Sequence, residues 1–181
     1  MNAAPQYVFG YGSLAAEHAR DHGATLRGRR RVWGVAMDNR RDLPGYKFYR
    51  LRADASRPAI HVAFLDIEPD PASAVTGICM PAGERDLAAL DRRERNYERV
   101  DVSGALEGGP PGQVWTYRGS QAGRARLREG VAAGRAAVSR DYLAAVLAGL
   151  ASVAPDELDG IERSLRSAGL AVLDLDRVDI R

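Results

Sequence analysis

A glycine-rich segment near the start of the chain has residue types that could bind an anion or the oxygen of a reacting carbonyl group. It follows a short, β-prone segment at residues 6–9 and consists of Gly10, Tyr11, Gly12, Ser13 and Leu14. The two glycines would let the backbone turn tightly and approach a ligand. Ser13 stands where a helix N-cap would be, and backbone N–H groups there would point outward as donors. We therefore expect residues 10–14 to bind a substrate carboxylate or an oxyanion.

Two other interpretations of this segment remain open. Residues 10–15 match G-x-G-x-x-A, a variant of the dinucleotide-binding fingerprint, and Asp38 follows the next predicted strand. That fold requires parallel strands joined by crossover helices. Here four arginines within residues 27–31 precede the second strand, and the later strands follow one another directly. The pattern therefore disfavours a dinucleotide site, and a tight turn without a ligand is the third interpretation.

Glu94 is the candidate acid–base group. A helix is predicted over residues 84–96, and Glu94 comes seven residues after Leu87 and four after Leu90, on the face that otherwise packs inward. Burial disfavours the charged form of a carboxyl group and so makes it a better base near neutral pH. The alternative is an ion pair on a solvated helix face with one of three neighbouring arginines, Arg93, Arg95 or Arg99. Residue types alone do not decide between the two.

The pairing of these two segments resembles the gamma-glutamylcyclotransferase-like superfamily. The chain reads YVFGYGSL at residues 7–14 and LDRRERNYERVDV at residues 90–102. In that family an FxYGS-type loop binds the γ-glutamyl group through backbone amides, and a glutamate in an LDxxE segment followed by tyrosine is the acid–base residue. The resemblance implies that Glu94 is catalytic and that residues 10–14 bind the substrate. It also implies three substrate-binding tyrosines, which are Tyr97, Tyr117 in VWTY, and Tyr142 in SRDYLAAVLAG.

The resemblance covers roughly residues 7–150 and implies both an activity and an architecture. The activity is cyclisation of a γ-glutamyl amide, in which the substrate's own α-amine attacks the γ-carbonyl to give 5-oxoproline and a free amine. No cofactor and no metal are needed, and the partner is a small γ-glutamyl molecule. The substrate is left open between glutathione, a γ-glutamyl amino acid and a γ-glutamyl amine. A noncatalytic module that binds a γ-glutamyl or other carboxylate ligand is the alternative, although such binding has no use for a buried anion at Glu94.

The elements that must position these residues favour an α+β fold, because strands follow one another with few helices between them. The resemblance implies a small mixed β-barrel flanked by helices. Strands are predicted at 6–9, 32–37, 46–52, 61–67 and 74–80, the last two as a hairpin around EPDPAS. A second hairpin joins 100–106 to 113–117 around EGGPPG. Helices are predicted at 15–20, 84–96, 141–150 and 156–168, and residues 172–178 form a strand or an extended tail.

Composition excludes several classes of protein. A balance of 26 Lys+Arg against 24 Asp+Glu gives a net charge of +2, which argues against a general nucleic-acid binder. The single cysteine excludes an intrachain disulfide and a cysteine-rich zinc site. Because we find no leader and no apolar run of about 18 residues, we expect a cytoplasmic protein without membrane attachment. The length favours one domain over residues 1–181, with a core at about 6–120 and a helical C-terminal part at about 121–181.

The remaining polar residues have simpler interpretations. His18 and His22 are predicted to be solvated rather than metal ligands, since no third ligand is evident. Cys79 is predicted to be a core residue, and the arginines at 27 and 29–31 a solvated strand edge rather than an RNA site. The polar residues of the segment 38–49 could line the outer end of the pocket and influence substrate choice, but the role of the segment and the oligomeric state are left open.

Overall fold

The computed structural model describes residues 4–17 and 22–180. Within them ten strands are present, in chain order β1 (Gln6–Gly10), β2 (His22–Asp38), β3 (Lys47–Leu51), β4 (His61–Pro81), β5 (Tyr97–Asp101), β6 (Leu106–Glu107), β7 (Gln113–Gly119), β8 (Ala136–Ser139), β9 (Ala171–Leu173) and β10 (Leu175–Asp179). The helices are α1 (Ser13–Glu17), α2 (Glu84–Arg93), α3 (Gln121–Ala132), α4 (Arg140–Val153) and α5 (Leu158–Ser167). None of the helices in these described ranges is long and apolar enough to cross a membrane.

The larger sheet is mixed and curls into a half-barrel with helices around it. Its strand order is β5-β7-β1-β4-β2-β6, with β8 beside β4 and β9 beside β8. This arrangement confirms the predicted α+β class and mixed barrel. It also makes the dinucleotide interpretation wrong, because β4 lies between β1 and β2 and is antiparallel to both. The parallel strand–helix–strand unit that such a site needs is therefore not formed by β1, α1 and β2.

Two long strands, β2 and β4, form the centre of this sheet, and the hairpin predicted within residues 61–80 is wrong. Both halves of β4 pair antiparallel with β2, which places Arg27 opposite Ala74 and Arg29 opposite Pro69. The four intervening residues, 70–73, bulge out opposite Gly28, which has a φ of +70°. Asp70 accepts a hydrogen bond from the Ala72 N–H at 3.1 Å. The turn-forming residues thus make their hydrogen bond within a bulge, and the chain does not reverse direction there.

A two-stranded antiparallel ribbon, β3 with β10, covers one face of the large sheet. Apolar side chains fill the space between ribbon and sheet, namely Tyr46, Tyr49 and Leu175 against Val35, Met37, Val62 and Phe64. The buried Asn39 fixes the start of the ribbon, since its side chain accepts from the Tyr49 N–H at 2.7 Å and donates to the Tyr49 carbonyl at 2.9 Å. The segment 38–49 is therefore held against the sheet as an ordered wall.

Several element boundaries differ from the sequence predictions. The helix predicted at 84–96 ends at Arg93. The strand that pairs with β7 is 97–101 rather than 100–106, and β6 pairs with β2 instead. The predicted helix at 15–20 begins at Ser13, and residues 18–20 lie outside the described residues.

The C-terminal part, expected to be helical, contains three strands besides its helices. Those strands are β8, β9 and β10. The helix predicted at 156–168 corresponds to α5, which Gly169 follows with a φ of +67°. The division of the chain into one domain with a core and a C-terminal part stays a prediction.

Candidate active site

One cavity of about 320 Å³ brings all the sequence-predicted site residues together. This volume is at the lower end of the range of about 300–1,000 Å³ for small-molecule sites. The cavity lies between the end of β1, the end of α2, the start of α4 and the β3–β10 ribbon. The predicted residues that line it are Gly10, Tyr11, Gly12, Ser13, Leu14, Glu94, Tyr97, Tyr117 and Tyr142.

The loop at residues 10–14 connects β1 to α1 along one wall of the cavity. Ser13 is the first residue of α1 rather than its N-cap, so that expectation is wrong, and the Gly12 carbonyl accepts from the Ala15 N–H at 3.0 Å. A Cβ atom built on Gly12 would lie 3.6 Å from the Tyr142 hydroxyl oxygen. Glycine therefore leaves the backbone at this position open to a ligand in the cavity.

Arg31 holds this loop in place, a role that the sequence analysis missed. Its Nε donates to the Tyr11 carbonyl at 2.8 Å and its Nη2 to the Thr76 carbonyl at 2.7 Å, while Nη1 forms an ion pair with Glu157. The Arg31 side chain is only 3% exposed, so the prediction of a solvated edge is wrong for this residue. The spacing of the four arginines in the sequence does not indicate which of their side chains is buried.

Glu94 lies at the C-terminal end of α2, where the helix gives way to β5. The helix begins after Gly83, whose N–H donates to Asp86 Oδ2 at 3.0 Å. At its other end the Glu94 N–H donates to the Leu90 carbonyl at 2.8 Å, and the Glu94 carbonyl accepts from the Tyr97 N–H at 2.9 Å. Glu94 is therefore fixed by a tight turn just after the helix, and it is not on the inward helix face that the spacing predicted.

The Glu94 side chain combines both environments that the sequence left open. It lines the cavity and is 17% exposed, and its Oε1 accepts from Arg93 Nε at 3.0 Å. The other two candidate arginines are engaged elsewhere, since Arg99 pairs with Asp91 and Arg95 donates to the Pro44 carbonyl. A carboxylate in this position is shielded from bulk water while one of its oxygens is held by a guanidinium group.

Six tyrosines line the cavity, and the four nearest in sequence to the predicted site segments differ in what their hydroxyl groups contact. Tyr97 donates to the Leu65 carbonyl at 2.6 Å, and Tyr11 donates to the Tyr117 carbonyl at 2.6 Å. Tyr117 donates to Asp91 Oδ1 at 2.8 Å. Tyr142 instead accepts from the Leu65 N–H at 3.2 Å. Of these four, Tyr142 is the one whose hydroxyl hydrogen has no acceptor among the described residues.

These phenols are neutral hydrogen-bond donors and not bases. Burial raises the pKa of Tyr11, Tyr97 and Tyr142 above the usual value of a phenol. The negative charge of Glu94 contributes to the raised pKa of all three, although less than burial does. At neutral pH these three hydroxyl groups therefore remain protonated.

The cavity is also lined by residues that the sequence analysis did not select individually. The β3–β10 ribbon and the residue before it contribute Tyr46, Lys47, Tyr49, Leu175 and Arg177, and the start of α4 contributes Asp141. The polar residues at 38–49 were expected to line the outer end of a pocket, and two tyrosines and a lysine from that segment do line this cavity. The sequence did distinguish one of these residues, because Lys47 is the only lysine among the 26 Lys and Arg residues.

The remaining candidates lie away from the cavity. Cys79 is fully buried in β4, and burial raises its thiol pKa to about 11, so the prediction of a core residue is confirmed. His22 is exposed on β2, and His18 lies outside the described residues. Within residues 4–17 and 22–180 there is no group of three His, Cys, Asp or Glu side chains that could hold a metal ion.

Comparison with known proteins gives the family of the chain. The profile described as gamma-glutamyl cyclotransferase, AIG2-like, matches residues 8–142, which include the 10–14 loop and Glu94. The chain belongs to this family. None of the curated protein sequences matches it significantly.

Solved structures of gamma-glutamyl cyclotransferases share the fold. One is a yeast enzyme specific to glutathione, with a TM-score of 0.54 and 13% identity over 89% of this chain and 97% of the other. A second, described only as a gamma-glutamyl cyclotransferase, has a TM-score of 0.53 and 13% identity, over 87% of this chain and 86% of the other. YkqA from Bacillus subtilis has a TM-score of 0.57 and 16% identity over 90% of this chain. The match spans 55% of the length of YkqA. At these identities the likeness shows a common fold.

Proposed function

We propose that the protein is a γ-glutamyl cyclotransferase in which Glu94 is the acid–base residue. The observation that supports this most is the placement of the Glu94 carboxylate and the 10–14 loop on the wall of one cavity. Two segments about eighty residues apart in the sequence thus meet at a single site. Their residue types are those that a cyclisation of a γ-glutamyl amide needs.

The reaction makes few demands on the protein because the substrate carries its own nucleophile. The α-amine nitrogen attacks the γ-carbonyl carbon, a five-membered ring closes, and the original C–N amide bond breaks to release an amine and 5-oxoproline. Holding the two groups in line exploits effective molarities that reach about 10⁵ M or more. The protein has to fold the γ-glutamyl chain back on itself and to move one proton.

Glu94 moves that proton. Its carboxylate takes a proton from the attacking amine and returns it to the leaving nitrogen, so the enzyme ends the cycle unchanged. The pair with Arg93 holds one carboxylate oxygen at 3.0 Å, and the other has no hydrogen-bond partner among the described residues. Orientation by a neighbouring cation keeps the carboxylate in place for the transfer.

The loop and Tyr142 provide the donors. Backbone N–H groups of residues 10–14 meet the substrate carboxylate or the charge that develops on the γ-carbonyl oxygen, as preorganised donors do in other acyl-transfer sites. Tyr142 adds a hydroxyl hydrogen close to Gly12, which has no side chain between its backbone and that hydroxyl group. Arg31 fixes the loop from behind by binding the Tyr11 carbonyl.

The test is release of 5-oxoproline from a panel of γ-glutamyl-alanine, γ-glutamyl-ethylamide and glutathione. We expect the wild-type protein to release it from at least one member. Glu94→Gln should lower kcat by about 10²–10⁴-fold, the usual contribution of general acid–base catalysis. Glu98→Gln is the matched control, because Glu98 is exposed on β5 and pairs with Arg118 at 3.5 Å; its rate should equal that of the wild type.

Two results would overturn the proposal. One is the absence of 5-oxoproline with every substrate, and the other is an equal rate for wild type and Glu94→Gln. Binding of a γ-glutamyl compound without turnover, measured by calorimetry, would instead favour the noncatalytic binding module.

A further inference from the structure

Lys47 is a cation in the cavity wall without an anionic partner. It is the only lysine of the chain and lies at the start of β3 with its side chain half-buried. Its Nζ lies 4.7 Å from the centre of the Phe64 ring and 5.4 Å from that of Tyr46. Within residues 4–17 and 22–180 the amine makes no hydrogen bond and no ion pair.

Every other charged side chain that lines the cavity has a partner of opposite charge. Arg93 pairs with Glu94 at 3.0 Å, Arg177 with Asp179 at 2.7 Å, and Asp141 with Arg52 at 2.7 Å. Removing a charge from water is costly unless the charge is paired. The two aromatic rings offset part of this cost for Lys47 by cation–π attraction, but they cannot neutralise it. A cation kept in this state fits an anion that arrives with the ligand.

The ribbon places this amine in the cavity wall, on an element separate from the loop. In the β3–β10 register Lys47 lies across from Asp179 and Tyr49 across from Arg177, so these positions share the inner face of the ribbon. Burial and the nearby Arg177 lower the Lys47 pKa to about 8, while Glu94 opposes the shift. At neutral pH the amine therefore still carries its charge most of the time.

We propose that Lys47 binds a carboxylate on the leaving amine of the substrate. The inference rests on the proposed function, in which the 10–14 loop holds the γ-glutamyl group and Glu94 serves the leaving nitrogen; the ribbon wall then faces what lies beyond that nitrogen. The preferred substrates are γ-glutamyl amino acids and peptides, and γ-glutamyl amines that lack an acid group are poor substrates. Lys47 is a specificity-determining residue that takes no part in bond making.

A matched pair of substrates tests this. γ-Glutamyl-alanine and γ-glutamyl-ethylamide differ only in the leaving-group carboxylate. Lys47→Met should lower kcat/KM for γ-glutamyl-alanine about tenfold to hundredfold, the value of a charge-assisted contact, and leave γ-glutamyl-ethylamide unchanged. Lys47→Arg should retain the preference for γ-glutamyl-alanine. Arg50→Gln is the control, because it removes an exposed cation from the outer face of the same strand.

Dissociation constants measured in the Glu94→Gln background separate this inference from the proposed function. Selective loss of γ-glutamyl-alanine binding on adding Lys47→Met supports the carboxylate contact even if the wild type turns over neither substrate, an outcome that would overturn only the proposed function. Equal loss of both substrates would mean that Lys47 binds the γ-glutamyl group and would overturn the inference. No loss for either substrate, or no binding of either, would overturn it as well.

Discussion

Glu94 and Lys47 lie in one cavity but are held there in different ways. Glu94 is fixed by backbone hydrogen bonds at both its N–H and its carbonyl, at the point where α2 ends. Its carboxylate is further held by Arg93. Lys47 is positioned only by its strand and by contact with two aromatic rings. The anion therefore has a preset orientation, whereas the cation is free to adjust to the length of a leaving group.

The charge of Lys47 should disappear within a moderately alkaline range. Its pKa is lowered to about 8 by burial, with Arg177 and Arg93 lowering it and Glu94 and Asp179 opposing them. A lowered lysine pKa means that the cation is lost as pH rises through about 8. The affinity ratio of γ-glutamyl-alanine to γ-glutamyl-ethylamide should therefore fall between about pH 7 and about pH 9.

Because the chain has one lysine, the titration can be followed directly. Protein labelled with carbon-13 at the lysine ε-carbon gives a single lysine signal in NMR, and its shift against pH reports Lys47 alone. The α-amine of the substrate titrates in the same range, but it is common to both substrates and cancels in the ratio. A midpoint near the ordinary lysine value of 10.5 would contradict the prediction.

At the scale of elements, the 10–14 loop depends on a strand that is distant in sequence. Arg31 of β2 binds a carbonyl of the loop, a carbonyl of β4 and the carboxylate of Glu157 ahead of α5. Lysine cannot make these contacts together, because it lacks the planar fork of donors. Arg31→Lys should lower the free energy of unfolding by about 2–3 kcal/mol. It should also reduce kcat, since the donors of the loop would lose their fixed position.

The neighbouring Arg30 provides the control for this prediction. Arg30 pairs with Glu68 at the surface, where its side chain is 58% exposed. Exposed ion pairs contribute about 0–1 kcal/mol, so Arg30→Lys should change neither urea denaturation nor 5-oxoproline release noticeably. Equal effects of the two substitutions in both measurements would mean that Arg31 does not position the loop.

Local patterns in the sequence predicted several elements and missed the ones that depend on tertiary pairing. The strand at 6–9 and the helix after Ser139 are specified by their own residues, and both are present. The turn residues at 68–73 instead predicted a hairpin. EPDPAS itself does not reveal that β2 is long enough to pair with both halves of β4. The end of α2 was placed three residues late, since the turn that stops it is closed by a hydrogen bond from Tyr97.

At the scale of the whole molecule, the cavity is closed by parts of the chain that are far apart in sequence. One part of its wall is a ribbon of β3 and β10, and β10 lies beyond the 8–142 region that the family profile matches. The family resemblance could therefore predict the loop, Glu94 and three tyrosines. Arg177 was not predictable, because nothing local to it indicates that its strand pairs with residues 47–51.

The central proposal is that the substrate's own amine, and not water, attacks the γ-carbonyl carbon. Turnover in oxygen-18 water, followed by mass spectrometry, separates the two cases directly. Cyclisation forms 5-oxoproline whose lactam carbonyl oxygen comes from the γ-carbonyl group of the substrate. The product should therefore be unlabelled and equal in amount to the released amine. Glutamate carrying an oxygen-18 atom would show hydrolysis by solvent and would contradict the proposed function.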